Sequence, residues 1–168
     1  MPKKLYLLRH ANSIEKQPGQ SDRDRELSPS GIKECFQIGA YLLRHPVKLD
    51  VIYSSSAERA RQTTQLIVDT IKFDHDKIFF EDELYDASVI TFLDFIHGID
   101  DQMVSVLCVG HNPVISYLSE YLTRSEIGDI ATGGMVAIDF EFSSWKHAGQ
   151  ANGKLAGYVV PASNYPAP

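Results

Sequence analysis

The sequence has few cysteines, and their setting excludes some common roles. Among 168 residues only Cys35 and Cys108 are cysteines, far apart and each inside an apolar pattern. A disulfide framework or a thiol nucleophile would need a different setting, so we expect two buried thiols in a reducing compartment. The chain also has no internal repeat, no low-complexity tract and no linker-like stretch.

Positive charge and long hydrophobic runs are also scarce. The formal net charge is −6, whereas general nucleic-acid binders usually carry a basic face, so we expect no nucleic-acid partner. The N-terminal stretch MPKKLYLLRH ends its apolar run at Arg9, too soon for a signal-peptide core or a membrane span. We therefore expect a cytoplasmic protein with no membrane partner.

Several catalytic signatures are missing. The chain has no HExxH or CxxC spacing, no GxSxG elbow, no Walker loop and no GxGxxG fingerprint. These absences count against the serine-hydrolase, kinase and dinucleotide-binding interpretations. Metal-dependent chemistry stays as a weaker alternative, because zinc sites usually need three or four closely spaced ligands. We expect no metal and no cofactor.

What the chain does contain is an alternation of short apolar runs with segments of helical periodicity. Strands are predicted over 4–9, 49–55, 77–84 as an edge strand, 103–110, 134–142 and 154–161. Helices are predicted over 28–45, 56–72, 88–99 and 113–122. The alternation predicts one α/β domain over residues 1–160, a three-layer α/β/α sandwich with a mostly parallel central sheet. Residues 161–168 are expected to be a flexible tail.

The first helix has clear boundary signals. Ser28 and Pro29 are typical of an N-cap and a first-turn proline. The helical period predicts that an apolar face turns inward, comprising Ile32, Cys35, Phe36, Ile38, Gly39, Leu42 and Leu43.

Chemistry-bearing side chains follow three of the predicted strands. The first strand ends on Arg9 and His10, the second is followed by Arg59, and the fourth ends before His111. Ligands bind at the carboxyl ends of strands in such sheets, so neighbouring strands would bring these groups into one crevice. Guanidiniums suit a phosphate or carboxylate, and an imidazole can act as nucleophile, proton carrier or donor.

These segments resemble the histidine phosphatase superfamily. LYLLRHANS is similar to its strand followed by Arg-His-Gly, with Ala11 where the family usually has glycine, and LSPSG is similar to the start of its first helix. SSAERARQTTQ resembles its Ser-x-x-x-Arg-Ala-x-Gln-Thr segment, and VGHNP resembles its second histidine motif at His111. The short chain is most like the small bacterial phosphohistidine phosphatases of the SixA type, with a phosphoglycerate mutase-like fold.

The resemblance implies roles for individual residues. His10 would be the nucleophile of a metal-independent phosphatase, forming a phosphohistidine intermediate, while Arg9, Arg59 and His111 bind the phosphate. Leu84-Tyr85-Asp86 is the nearest match to the family's general-acid segment, so Asp86 would be the general acid. The pattern fits a helix N-cap at Asp86 equally well. The expected partner is a phosphohistidine-bearing protein or a phosphorylated small molecule.

Two alternatives stay open at this point. A broad phosphomonoesterase or a mutase would use the same residues, and a mutase would also need more basic groups and a lid. Residues 16–25 carry such cations, but their alternation with acidic residues over 22–26 is more typical of a solvated surface. Thr132 and Gly133 are further candidates for the rim of the pocket. A non-catalytic phosphate-binding module is less favoured, because binding alone needs no nucleophile.

Overall fold

In the computed structural model, which describes residues 1–162, the strands form one sheet. In chain order they are β1 (Lys3–Arg9), β2 (Val51–Ser55), β3 (Ile78–Glu81), β4 (Ser105–Gly110), β5 (Met135–Phe140) and β6 (Gly153–Val159). Across the sheet the order is β3-β2-β4-β1-β5-β6. The first four strands pair in parallel, whereas β5 pairs antiparallel with both β1 and β6. The predicted edge position of β3 is confirmed.

The helices cover both faces of the sheet, as predicted for a three-layer α/β/α sandwich. They are α1 (Pro29–Arg44), α2 (Glu58–Ile71), α3 (Val89–His97) and α4 (Val114–Thr123). α1 packs against α2 on one face, and α3 packs against α4 on the other. None of the helices within residues 1–162 is long and apolar enough to cross a membrane. Of the predicted tail, 163–168 lie outside the described residues.

The central strand β1 is apolar on both sides because it is buried on both sides. Leu5 and Leu7 belong to the core under α3 and α4, whereas Tyr6 and Leu8 belong to the core under α1 and α2. Successive side chains of a strand point to opposite faces, so a strand between two helical layers needs a continuous apolar run. This burial fixes the strand that carries Arg9 at its end.

The face of α1 is narrower than predicted. Ser28 does cap the helix, since its Oγ accepts from the N–H of Gly31 at 3.0 Å. Ile32, Phe36 and Leu43, however, are 41%, 40% and 45% exposed, so their inward placement was wrong. The helix lies on the sheet along a single stripe that includes Cys35, Ile38 and Leu42, and the flanking apolar residues remain at the surface.

Gly31 allows a close approach that no other residue would permit. A Cβ at this position would lie 2.0 Å from the carbonyl oxygen of Asn12. The same carbonyl accepts a hydrogen bond from the N–H of Ser28 at 3.0 Å. The first turn of α1 therefore packs directly on the loop that follows β1.

Both cysteines are buried and free, as predicted. Burial raises the pKa of Cys35 to about 12, and it also raises the pKa of Cys108. Both thiols stay protonated at neutral pH, so neither is an effective nucleophile.

Candidate active site

The sheet order brings the predicted strand ends together. β4 lies between β1 and β2, so the residues at their carboxyl ends face one crevice. A cavity of about 300 Å³ is found there, lined almost entirely by polar groups. Its lining residues are Arg9, His10, Asn12, Ser13, Arg25, Arg59, His111, Asn112 and Thr132.

The environment of His10 defines which ring nitrogen faces the cavity. Nδ1 lies 2.7 Å from the carbonyl oxygen of Ala11, which can only accept, so Nδ1 carries the proton. Nε2 then holds a free lone pair, and the Nε–H of Arg59 donates to it over 3.4 Å. His10 is only 8% exposed. The ring therefore presents an unprotonated Nε2 among arginines.

Ala11 fits at the position where glycine is usual because its backbone φ is not positive. Its N–H donates to Thr63 Oγ1 at 3.0 Å, and the Thr63 hydroxyl donates to the carbonyl of Arg59 at 2.7 Å. The loop after β1 is thus tied to the first turns of α2, which carry Arg59.

The two arginines of the site are held by oxygen acceptors. Arg59 is 7% exposed and donates through Nη1 to the carbonyl of Asp22 at 2.7 Å and through Nη2 to Asp22 Oδ2 at 3.1 Å. Arg9 donates through Nη1 to the carbonyl of Ile130 at 2.8 Å. Its Nε is buried and has no hydrogen-bond partner among the described residues.

Sequence reasoning missed Asp22 and misjudged Arg25. Asp22 accepts hydrogen bonds from Tyr85 Oη at 2.8 Å and from Arg25 at 3.1 Å, in addition to Arg59. The hydrogen bond from Tyr85 and the neighbouring guanidiniums hold the pKa of Asp22 well below its usual range. Asp22 is consequently ionised and unsuited to donate a proton. The expectation of a solvated surface over 22–26 was wrong for these residues, although sequence offered no signal for their fold-dependent contacts.

His111 lies next to His10, with ring centroids 5.0 Å apart. Its Nε2 is 2.7 Å from the Oγ of Ser55, at the carboxyl end of β2. Its Nδ1 is buried and has no partner within the described part of the chain.

Both imidazoles are neutral at physiological pH. Burial, followed by the positive charges of Arg59 and Arg9, lowers the pKa of His10 to about 4. Burial, together with the neighbouring His10 and Arg59, lowers the pKa of His111 to about 3. A cluster of permanent cations and two uncharged imidazoles is suited to an anion that can react with a nitrogen nucleophile.

Asp86 lies apart from this cluster. It is exposed, it follows the short turn after β3, and it does not line the cavity. The alternative prediction, a helix N-cap at Asp86, was wrong, because the N-cap of α3 is Ser88, whose Oγ accepts from the N–H of Thr91. Thr132 does line the cavity, and the N–H of Gly133 donates to the carbonyl of Arg9 at 3.0 Å. No group of three or more His, Cys, Asp or Glu side chains in residues 1–162 is placed to hold a metal ion.

A mostly parallel α/β sheet carries an Arg-His pair at the end of its central strand, in a polar cavity suited to an anion. A sequence model of the histidine phosphatase superfamily (branch 1) matches residues 5–92, which include Arg9, His10 and Arg59. The chain belongs to this superfamily.

Sequence relatives and solved structures are similar to this chain over nearly their whole length. An uncharacterized protein of Mycobacterium tuberculosis is 29% identical over 167 residues, covering 92% of this chain and 99% of the relative. A candidate phosphohistidine phosphatase SixA from Agrobacterium tumefaciens is 29% identical with a TM-score of 0.82, covering 96% of this chain and 99% of that one. A second candidate SixA, from Nakamurella multipartitia, is 26% identical with a TM-score of 0.83, covering 97% and 98%.

The lowered pKa values predict an unusual titration. His10 should titrate near pH 4 and His111 near pH 3, against 6.5 for an ordinary histidine. Between the pKa values of the folded protein and the ordinary value of 6.5, the unfolded chain binds more protons than the folded one. The free energy of unfolding should therefore decrease as the pH falls below 6.5. Imidazole NMR signals are followed from pH 8 to pH 4, with the urea-unfolded chain as reference; in the folded protein His10 should still be mostly neutral until the lower end of this range, and His111 should stay neutral throughout. A midpoint at or above 6.5 for His10 in the folded protein would contradict the assignment.

Proposed function

We propose that the protein is a metal-independent phosphatase that works through a phosphohistidine intermediate on His10. The observation that carries the proposal is the unprotonated Nε2 of His10 inside a cavity lined by Arg9, Arg59 and His111. In the first step Nε2 attacks phosphorus, an N–P bond forms, and the bond to the leaving group breaks. In the second step water attacks phosphorus, the N–P bond breaks, and inorganic phosphate is released.

The remaining cavity residues bind the transferred group. Arg9, Arg59 and His111 would donate to the equatorial oxygens of phosphorus and offset their charge in the transition state. Phosphoryl transfer depends mainly on such positioning and electrostatic stabilisation. Removal of one donor costs about 2.7–4 kcal/mol in comparable oxyanion sites. Hydrogen bonds to Asp22, Ile130 and Ser55 hold Arg59, Arg9 and His111, respectively, in place before substrate binds.

The substrate we favour is phosphohistidine on a protein. The leaving imidazole of a phosphohistidine departs more readily than an alkoxide and needs less help from a general acid. Asp86 is the nearest match to that acid, yet it does not line the cavity. The similarity to candidate SixA phosphohistidine phosphatases supports the same substrate class. Two buried free thiols are in keeping with a reducing, cytoplasmic location.

A mutase is less favoured than a hydrolase. A mutase must hold a second acidic group of its substrate, and Arg25 is the additional cation at the cavity. That guanidinium donates to the carbonyl of Ile14 and to Ser13, and its charge is already paired with the carboxylate of Asp22. A broad phosphomonoesterase activity on small molecules stays as the second candidate, since it requires only the phosphate-binding groups.

The first test is hydrolysis of p-nitrophenyl phosphate in excess EDTA. We expect the wild type to retain its activity, because no metal takes part, and we expect His10→Ala to lose it. His75→Ala is the matched control, since His75 is exposed and its ring contacts Asp69, outside the cavity. Loss of wild-type activity in EDTA would contradict metal independence. Retained phosphate binding without any turnover would point to a binding module instead.

The role of Asp86 is tested by comparing leaving groups. Asp86→Asn should slow hydrolysis of an alkyl phosphate more than that of p-nitrophenyl phosphate or phosphohistidine, because only the alkoxide needs a proton as it departs. The measurement is kcat/KM for each substrate. Asp76→Asn is the control, because this exposed aspartate lies just before β3, at the opposite end of the strand from the site. Equal losses on all three substrates would rule out a proton-donor role for Asp86.

A further inference from the structure

We infer that Ser55 is a positioning residue that fixes the tautomer of His111, so that its Nδ1–H faces the phosphate. The catalytic role of this tautomer rests on the proposed function. The tautomer itself is a property of the free protein. Ser55 is the last residue of β2 and is 0% exposed. It therefore has no access to bulk water, and its hydroxyl must find its partners within the protein.

The hydroxyl of Ser55 has two neighbours. Its Oγ accepts from the N–H of Ala57 at 3.2 Å, just before α2, and it lies 2.7 Å from His111 Nε2. A hydroxyl has a single hydrogen to donate. Within residues 1–162, His111 Nε2 is the acceptor that this hydrogen reaches.

These hydrogen bonds determine which nitrogen of the His111 ring carries the proton. If Ser55 donates to Nε2, that nitrogen carries the lone pair, and the proton of the neutral imidazole is on Nδ1. In the opposite tautomer, Nε2–H would donate to Oγ, and the Ser55 hydrogen would be buried without an acceptor. Among the described residues, the first arrangement leaves one buried polar group unpaired, the Nδ1–H of His111, whereas the opposite one leaves two, the Ser55 hydroxyl hydrogen and the Nδ1 lone pair. Unpaired buried polar groups are unfavourable, so the first arrangement prevails. The low pKa of His111 excludes the doubly protonated ring at neutral pH.

The unpartnered Nδ1 gives this tautomer a function. Nδ1 of His111 is buried, has no hydrogen-bond partner among the described residues, and belongs to a side chain that lines the cavity. A donor there can bind a phosphate oxygen, whereas a lone pair would repel it. The two histidines thus take opposite roles, since His10 presents a lone pair to the cavity and His111 presents an N–H.

The direct test uses the wild type and needs no activity. Long-range ¹H–¹⁵N NMR of the imidazole rings at pH 7 distinguishes the two neutral tautomers. We expect His111 to be the Nδ1–H form, and its Nδ1 proton should shift when inorganic phosphate is added. An Nε2–H tautomer for His111 would overturn the inference, even if the protein proves to be an active phosphatase. An inactive protein with the expected tautomer would instead count against the proposed function.

Substitution gives a second test. Ser55→Ala removes the hydroxyl, so His111 should sample both tautomers, and kcat/KM should fall about 10- to 100-fold, by analogy with the partners that orient metal-bound imidazoles. Ser54→Ala is the control, because Ser54 is equally buried but donates to the backbone carbonyls of Ser55 and Ala60. An unchanged tautomer and unchanged kcat/KM in folded Ser55→Ala would overturn the role of Ser55.

Discussion

The hydrogen bond from His10 Nδ1 to the carbonyl of Ala11 is the contact on which the site depends. It places the ring proton on the protein side and leaves Nε2 unprotonated on the cavity side. The backbone around Ala11 is in turn held by Thr63 and by the packing of Asn12 on Gly31. A shift of this loop would turn the His10 ring away from the arginines, so the local packing keeps the lone pair of Nε2 directed into the cavity.

The positive charges of Arg59 and Arg25 are balanced by Asp22, which lies in the loop before α1 and not in the sheet. Asp22 holds both terminal nitrogens of Arg59 and also bonds to Arg25 and Tyr85, which joins the loop before α1 to the segment after β3. A second pair, Arg23 with Asp82, links the same two segments. The guanidinium of Arg59, which lines the cavity, is therefore oriented in advance, and under the proposed function this reduces the entropy lost when phosphate is bound.

The strands could be predicted from the sequence because buried strands appear as apolar runs. The residues at the strand ends could then be found because they follow these runs directly. The runs that became β1 and β4 are continuous and apolar, and His10 and His111 follow them directly. The contacts of Asp22 could not be predicted, since they join segments distant in the chain and leave no periodic signal. The exposure of Phe36 was missed for a related reason, because helical period does not fix how wide a stripe the sheet covers. Ala11 stands where the family usually has glycine, and only its backbone angle in the structure shows that alanine is tolerated there.

The central claim is that His10 Nε2 becomes covalently phosphorylated during turnover. The most direct measurement is a rapid alkaline quench of the protein during p-nitrophenyl phosphate hydrolysis, followed by mass spectrometry and ³¹P NMR. We predict one phosphoryl group on His10, stable to base and labile to acid as expected for an N–P bond. Steady turnover with no phosphorylated His10 at any quench time, or a phosphoryl group on a serine or carboxylate, would contradict the account.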